Sequence, residues 1–196
     1  MLDGMEPRLP SELSAPLGRF LVLLDKWNRT HALTALPPGV RREELLLDAA
    51  SLLPFLAPLA PGSRVVDLGT GMGSPAVVLA LARPDLEVLG VDASTKKLAF
   101  LKQVAMELPV PNLHAVHGRL EDLPALAADW GTAKALAPVE ALVGWWSRHG
   151  RPGAPFYALK GADWRTEPIP FAWKVLAHPY ILPTRGERVV LELQKD

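Results

Sequence analysis

The sequence contains no cysteine, which excludes disulfides, thiolate metal sites, CxxC redox chemistry and any mechanism with a cysteine nucleophile. Charge of one sign is not in excess either. Lys+Arg and Asp+Glu both number 21, for a formal net charge of +0, so no global basic field draws the chain to nucleic acid or to an anionic membrane, and any such site is local. Long apolar runs are missing as well. The richest, at 45–60 and 75–82, are short or interrupted by Asp48 and proline, and the first ten residues carry acids and no apolar signal-like core, so a soluble cytoplasmic protein with no membrane contact is expected. The five histidines (His31, His114, His117, His149, His178) lack metal-ligand spacing, and no metal site is expected.

What is present reads as a globular α/β protein. The 196 residues are 49% hydrophobic and 21% charged, enough for one domain with a proper core. Twenty prolines gather at segment joints such as Pro37-Pro38, Pro58, Pro61, Pro109 and Pro111, where they stop helices. Leu13, Leu17, Phe20, Leu21, Leu24 and Trp27 fall on one face of a predicted helix over 11–27, with Ser11 as its N-cap. A second apolar helix is predicted over 41–56. From residue 64 the pattern changes to the strand-like runs RVVDL, EVLGVD and NLHAV, alternating with helical stretches at 75–82 and 95–108. Further strands are expected at 130–135, 155–159 and 188–193, with an amphipathic helix at 138–148. The alternation predicts a doubly wound, Rossmann-like parallel sheet over 61–196, capped by N-terminal helices over 1–60.

The most informative segment is VVDLGTGMGSP at 65–75, a buried strand ending in Asp67, then Gly69, Gly71 and Gly73, then a helix opening at Pro75. The glycines permit a tight turn and close backbone approach to a ligand, and the helix start offers free N–H groups. Nineteen residues past Gly73 the next strand ends at Asp92, placed to accept hydrogen bonds from both hydroxyls of a ribose. The spacing is D-x-G-x-G-x-G, not the dinucleotide G-x-G-x-x-G. Asp67 would repel a pyrophosphate but suits the methionine end of S-adenosylmethionine (SAM), which favours SAM over NAD and a class I SAM-dependent methyltransferase.

Four segments together resemble the bacterial RsmG/GidB family, which methylates guanine N7 in 16S ribosomal RNA: WNRTHALTAL at 27–36, VVDLGTGMGSP at 65–75, VDASTKKLAFLKQVAMEL at 91–108 and FYALKG at 156–161. HGRLEDL at 117–123 is similar to the family's segment after the third strand, and the resemblance implies that its Leu120 and Glu121 contact the adenine of SAM. It also implies an rRNA (guanine-N7) methyltransferase acting on the small ribosomal subunit; the sequence leaves the oligomeric state open, with a monomer favoured. The chain departs from the family pattern at Ser74, usually bulky and apolar, at Ala76, usually glycine, at Glu44-Leu45, usually Arg-His, and at Ala133-Lys134, usually Ser-Arg. With Ser74 and Lys134 kept among the cofactor-binding candidates, lysine for arginine makes a bidentate contact a single-point one. The stretch GADWRTEPIPF after Lys160 is too proline-rich for the helix the family has there.

Methyl transfer to guanine N7 uses an existing lone pair, so no general base is needed and no catalytic acid or base is expected; positioning carries the reaction. The sequence also has no [DN]-P-P-[FY] run of the amine-methylating enzymes. Candidate RNA-phosphate contacts are Arg119, Lys160, Arg165 and Arg188, with Lys96 and Lys97 on a helix start. Of the six tryptophans, Trp164 beside Arg165 is the best base-stacking candidate, while Trp145-Trp146 cannot both face the core. The rival readings are a SAM-dependent methyltransferase acting on another RNA or a small molecule, and a non-catalytic member that binds RNA or a protein partner.

Overall fold

The computed structural model describes residues 4–195. Seven strands form one sheet: β1 (Arg64–Leu68), β2 (Glu87–Asp92), β3 (Leu113–His117), β4 (Trp130–Lys134), β5 (Phe156–Gly161), β6 (Trp173–Leu182) and β7 (Gly186–Lys195), in the order β3-β2-β1-β4-β5-β7-β6. The first five are parallel and β7 runs antiparallel to both β5 and β6. The chain leaves β1 toward β2 on one side and returns to β4 on the other, so a crevice opens at the carboxyl ends of β1 and β4, the position where open α/β sheets bind ligands.

Alternation along the strands builds two apolar layers. Val65 and Val88 face one side, packing with Phe20 and Leu24 of α1 (Ser14–His31), Val77 of α4 (Ala76–Ala82) and Phe100, Leu101 and Val104 of α5 (Thr95–Glu107). Val66, Leu68 and Val91 face the other, against Leu142, Val143 and Trp146 of α6 (Val139–His149). Each such side chain contributes about 1.5–3 kcal/mol on burial. Trp146 is buried and lies over Gly131, where a Cβ would stand 2.3 Å from its ring, while Trp145 stays half-buried, as the opposition of adjacent helix positions requires.

The predicted strands at 64–68, 87–92 and 130–135 and the helices at 95–108 and 138–148 agree with the fold to within a residue or two. Three expectations need correction. Ser11 does not cap α1: it opens a short 3-10 turn, Ser11–Leu13, and its hydroxyl meets the Glu12 carboxylate instead of a backbone amide. The stretch 41–56 is not one helix. It runs as α2 (Pro38–Arg41), a π-helical stretch Arg42–Leu47, α3 (Asp48–Ala50) and a 3-10 turn Leu53–Leu56 that begins next to Pro54, whose ring cannot follow a helical turn. Finally, β6 went unpredicted because Pro179 lies within it. That proline is tolerated on the sheet's outer strand, where its carbonyl accepts from the Gly4 amide. The proline-rich stretch after Lys160 forms only a 3-10 turn, Ala162–Thr166.

The π-helical stretch is latched to the β6–β7 hairpin. Glu43 accepts from the Thr184 amide at 2.7 Å, the Thr184 hydroxyl at 2.6 Å and the Arg185 amide at 3.1 Å. Burial opposes its charge, but these bonds and the Arg185 guanidinium hold the carboxyl below its ordinary value. A depressed acid stabilises the fold above its unfolded-state value near 4.5, and that stabilisation is lost as pH falls through the folded-state value. Glu43→Gln is therefore expected to cost about 1–2 kcal/mol at pH 7 in urea melts, and the gap to the parent protein should close below pH 4.5.

Candidate active site

The strand β1 delivers Asp67 and the glycine turn to the crevice. Gly69, Gly71 and Gly73 all have positive φ (70°, 57° and 97°), a region that strains any side-chain-bearing residue. At Gly73 there is also no space: a Cβ would sit 2.8 Å from both Leu101 and Val77. Asp92, at the end of β2, fixes the turn by accepting from the Gly71 amide (3.0 Å) with one oxygen and from the Ser94 amide (2.8 Å) with the other. Asp67 is fully buried; one carboxylate oxygen accepts from the Ala76 amide at 3.1 Å and the other has no partner. Burial pushes its carboxyl up to about 7, against the pull of the nearby Thr70 hydroxyl, the Ala76 amide and the Lys134 charge.

Two cavities adjoin at this edge. The first, of about 340 Å3, is lined by Gly69, Asp92, Arg119, Leu120, Glu121 and Trp145, among others. Glu121 is held there by α6, accepting from the Trp145 indole at 2.9 Å, while its carbonyl accepts from Arg148 at 2.6 Å; the Leu120 carbonyl pairs with the His149 ring at 2.8 Å. The second, of about 510 Å3, is lined by Glu44, Asp48, Lys134, Lys160, Asp163 and Arg188, among others. Ala135 lines both, and its φ of 49° is a strained conformation of the kind that gathers at functional sites.

The sequence-derived candidates divide between these places. Gly69, Asp92, Leu120 and Glu121 border the first cavity, with Gly71 and Gly73 in the turn behind it and Asp67 buried beneath. Ser74 points away: its hydroxyl donates to the Leu45 carbonyl at 2.6 Å. Lys134 borders the second cavity, where its ammonium donates to the Glu44 carbonyl and pairs with Asp48 at 3.2 Å. Among the cations proposed for RNA, Arg119 is exposed and has no side-chain partner among the described residues, and Arg188 rests on the Arg185 and Glu187 carbonyls at 3.0 Å. Arg165 lies over the Trp164 ring, 5.2 Å from its centre, which occupies one face of the best stacking candidate. Lys160 is fully engaged, donating at 2.8 Å to the Ala137 carbonyl and to both Glu167 carboxylate oxygens. Ala135, Trp145 and Asp163 line these cavities but were not among the sequence-derived site candidates; their one signal is that each follows a strand end or lies on the helix behind it. Among the described residues no helix is long and apolar enough to cross a membrane, and no acid and histidine cluster could hold a metal.

The sheet order, the glycine turn and the acid at the end of β2 define the fold of the class I SAM-dependent methyltransferases. TrmN from Thermus thermophilus superposes with a TM-score of 0.58 over 84% of this chain and 55% of that one at 20% identity, a likeness of fold. At the level of sequence, the family model for GidB, rRNA small subunit methyltransferase G, matches residues 14–175, and the chain belongs to that family. It is 37% identical to the ribosomal RNA small subunit methyltransferase G of Bordetella avium, covering 84% of this chain and 76% of that protein. To the protein of that name from Xanthomonas campestris pv. campestris it is 35% identical, with 100% and 94% covered.

Proposed function

We propose that this protein transfers the methyl group of SAM to N7 of a guanine in 16S ribosomal RNA of the small subunit, in the cytoplasm. The observation that carries the reading is the junction of the two cavities at Ala135: a nucleoside-type cradle under Asp92 opens beside a polar, charge-lined space at the ends of β4 and β5. The cradle fits SAM. Each Asp92 oxygen keeps a lone pair for a ribose hydroxyl, Leu120 and Glu121 line the cavity where adenine would lie, and the Asp67 carboxylate buried beneath the turn offers the charge that suits an ammonium. When bound, SAM supplies an electrophilic methyl carbon on a sulfonium. A guanine N7 would bring its own lone pair to that carbon, with the sulfonium sulfur as leaving group, and no proton would have to leave. The chain therefore needs no base, and its residues act by holding two partners in line.

Two measurements test this. Purified protein, labelled SAM and unmethylated small ribosomal subunits or their naked RNA should give 7-methylguanosine on nucleoside analysis; folded, SAM-binding protein that leaves both unlabelled would turn the assignment to another substrate. The second follows the Asp67 carboxyl, which lies near 7. A raised acid binds its proton more tightly in the folded state, so the ligand-free protein loses stability as pH rises from about 4 through 7. An ammonium needs the ionised form, and SAM affinity should weaken about tenfold per unit below pH 7 and level off above it. Calorimetric titration between pH 5.5 and 8 reads the slope, which Asp67→Asn should abolish; a flat profile for the parent protein would remove Asp67 from the ligand set.

A further inference from the structure

The second cavity contains a carboxylate that nothing in the fold uses. Asp163 lies on the turn after β5, exposed at the cavity wall, and among the described residues its carboxylate has neither hydrogen bond nor ion pair. It folds back over the end of β5, with one oxygen 2.9 Å from where a Cβ on Gly161 would stand. Three of the cations around it are paired, Lys160 with Glu167, Lys134 with Asp48 and Arg185 with Glu44, while Arg188 lies 4.0 Å from that same Glu44. A free negative charge at a surface meant for RNA repels phosphate, so its fitting partner is a donor edge of a base.

Lys134 offers the complement. An ammonium has three N–H groups; two are engaged by the Glu44 carbonyl and Asp48, which leaves one for the cavity, and the Asp48 pairing already balances its charge. The sheet then sets an order. At its carboxyl edge β1, β4 and β5 are consecutive neighbours, about 4.8 Å apart, and they carry in turn the glycine loop, Lys134 and Asp163. Along the edge of a guanine the atoms run N7, O6, then N1–H and the 2-amino group: methyl acceptor, hydrogen-bond acceptor, two donors.

We propose that the second cavity receives the acceptor base and reads it as guanine. The Asp163 carboxylate accepts from N1–H and the 2-amino group, and the third N–H of Lys134 donates to O6, which leaves N7 facing the glycine loop. This rests on the guanine-N7 reading above. Methylation at N7 makes the purine cationic and its N1–H more acidic, so the bond to Asp163 strengthens toward the transition state, and its loss should fall on kcat more than on KM.

The test uses small-subunit RNA ligated with guanosine or inosine, which lacks only the 2-amino group, at the methylated position and assembled into subunits. The parent protein should prefer guanosine about 10- to 100-fold in kcat/KM, the size of a specific base-edge contact. Asp163→Asn and Asp163→Ala should lower the guanosine rate by a similar factor, mostly through kcat, and bring the two substrates within about threefold, with SAM affinity and Tm unchanged. Variants that keep the parent preference for guanosine over inosine overturn the role of Asp163. A parent protein that methylates neither substrate overturns the guanine-N7 reading itself.

Discussion

Asp92→Ala is expected to weaken SAM binding at least 100-fold. The Asp92 carboxylate does two jobs at once: it accepts from the Gly71 and Ser94 amides at 3.0 and 2.8 Å, and it faces the cavity bounded by Gly69, Leu120 and Glu121. On the proposed SAM reading, alanine would remove two charge-assisted hydrogen bonds to the ribose, each worth about 1.5–3 kcal/mol, and it also releases the Gly71 amide. Asp92→Asn keeps the shape and one acceptor oxygen, and about a tenfold loss is expected. Calorimetry gives the affinities. The rise in Tm on adding SAM, which follows the logarithm of ligand over Kd, should disappear in the alanine variant while its ligand-free melt stays cooperative. Binding within threefold of the parent protein would take the ribose away from Asp92.

That aspartate was legible because everything it needs is local. A strand of β-branched residues, a turn that only glycine can make and an acid at the next strand end are each visible in a few consecutive residues, and the fold places them together through parallel pairing of β1 and β2 from Arg64↔Glu87 to Leu68↔Val91. The cations were not legible in the same way. Lys160 looks free in a sequence, yet Glu167, seven residues on, closes back across the 3-10 turn and takes its charge, and Arg165 settles on its own neighbour Trp164. Partners across a turn or between strands have no periodic signature. The same reason hid β6, whose apolar alternation is broken by Pro179, and the split of residues 41–56, where a π-helical stretch differs from an α-helix by one residue per hydrogen bond.

Residues far apart in sequence also meet on the π-helical stretch. The Ser74 hydroxyl donates to the Leu45 carbonyl and the Lys134 ammonium to the Glu44 carbonyl, both contacts to backbone that do not depend on the side chains at 44 and 45. One stretch of π-helical backbone thus receives both side chains. A bulky apolar residue at 74 would have no proton to give Leu45, and the serine here is buried at 9% exposure, where an unmet carbonyl is costly. Ser74, Lys134 and the π-helical backbone form one packed arrangement beside the second cavity.

Asp48 is the centre of that arrangement, and Asp48→Ala is expected to lower stability by about 3–5 kcal/mol, the cost of stripping one partner from a buried ion pair. The Asp48 carboxylate is buried; one oxygen accepts from the Tyr180 hydroxyl at 2.5 Å and the other pairs with Lys134 at 3.2 Å. Burial, with the Asp48 charge beside it, raises the Tyr180 hydroxyl far above its ordinary range, so the tyrosine stays a donor at every working pH. Alanine leaves that hydroxyl and the Lys134 ammonium without their acceptor, and at a urea slope of about 2 kcal/mol per M the midpoint should fall by about 1.5–2.5 M. Asp48→Asn should fall between, since an amide keeps an acceptor for Tyr180 but not the charge for Lys134. The double variant Asp48→Ala, Lys134→Met separates the two contributions: with the orphaned ammonium removed, it should recover a large part of the loss, and the coupling energy from the four-protein cycle should exceed about 1 kcal/mol. Additive single effects would mean that Lys134 is held by the Glu44 carbonyl alone, and that Asp48 serves Tyr180 and the hairpin rather than the cavity.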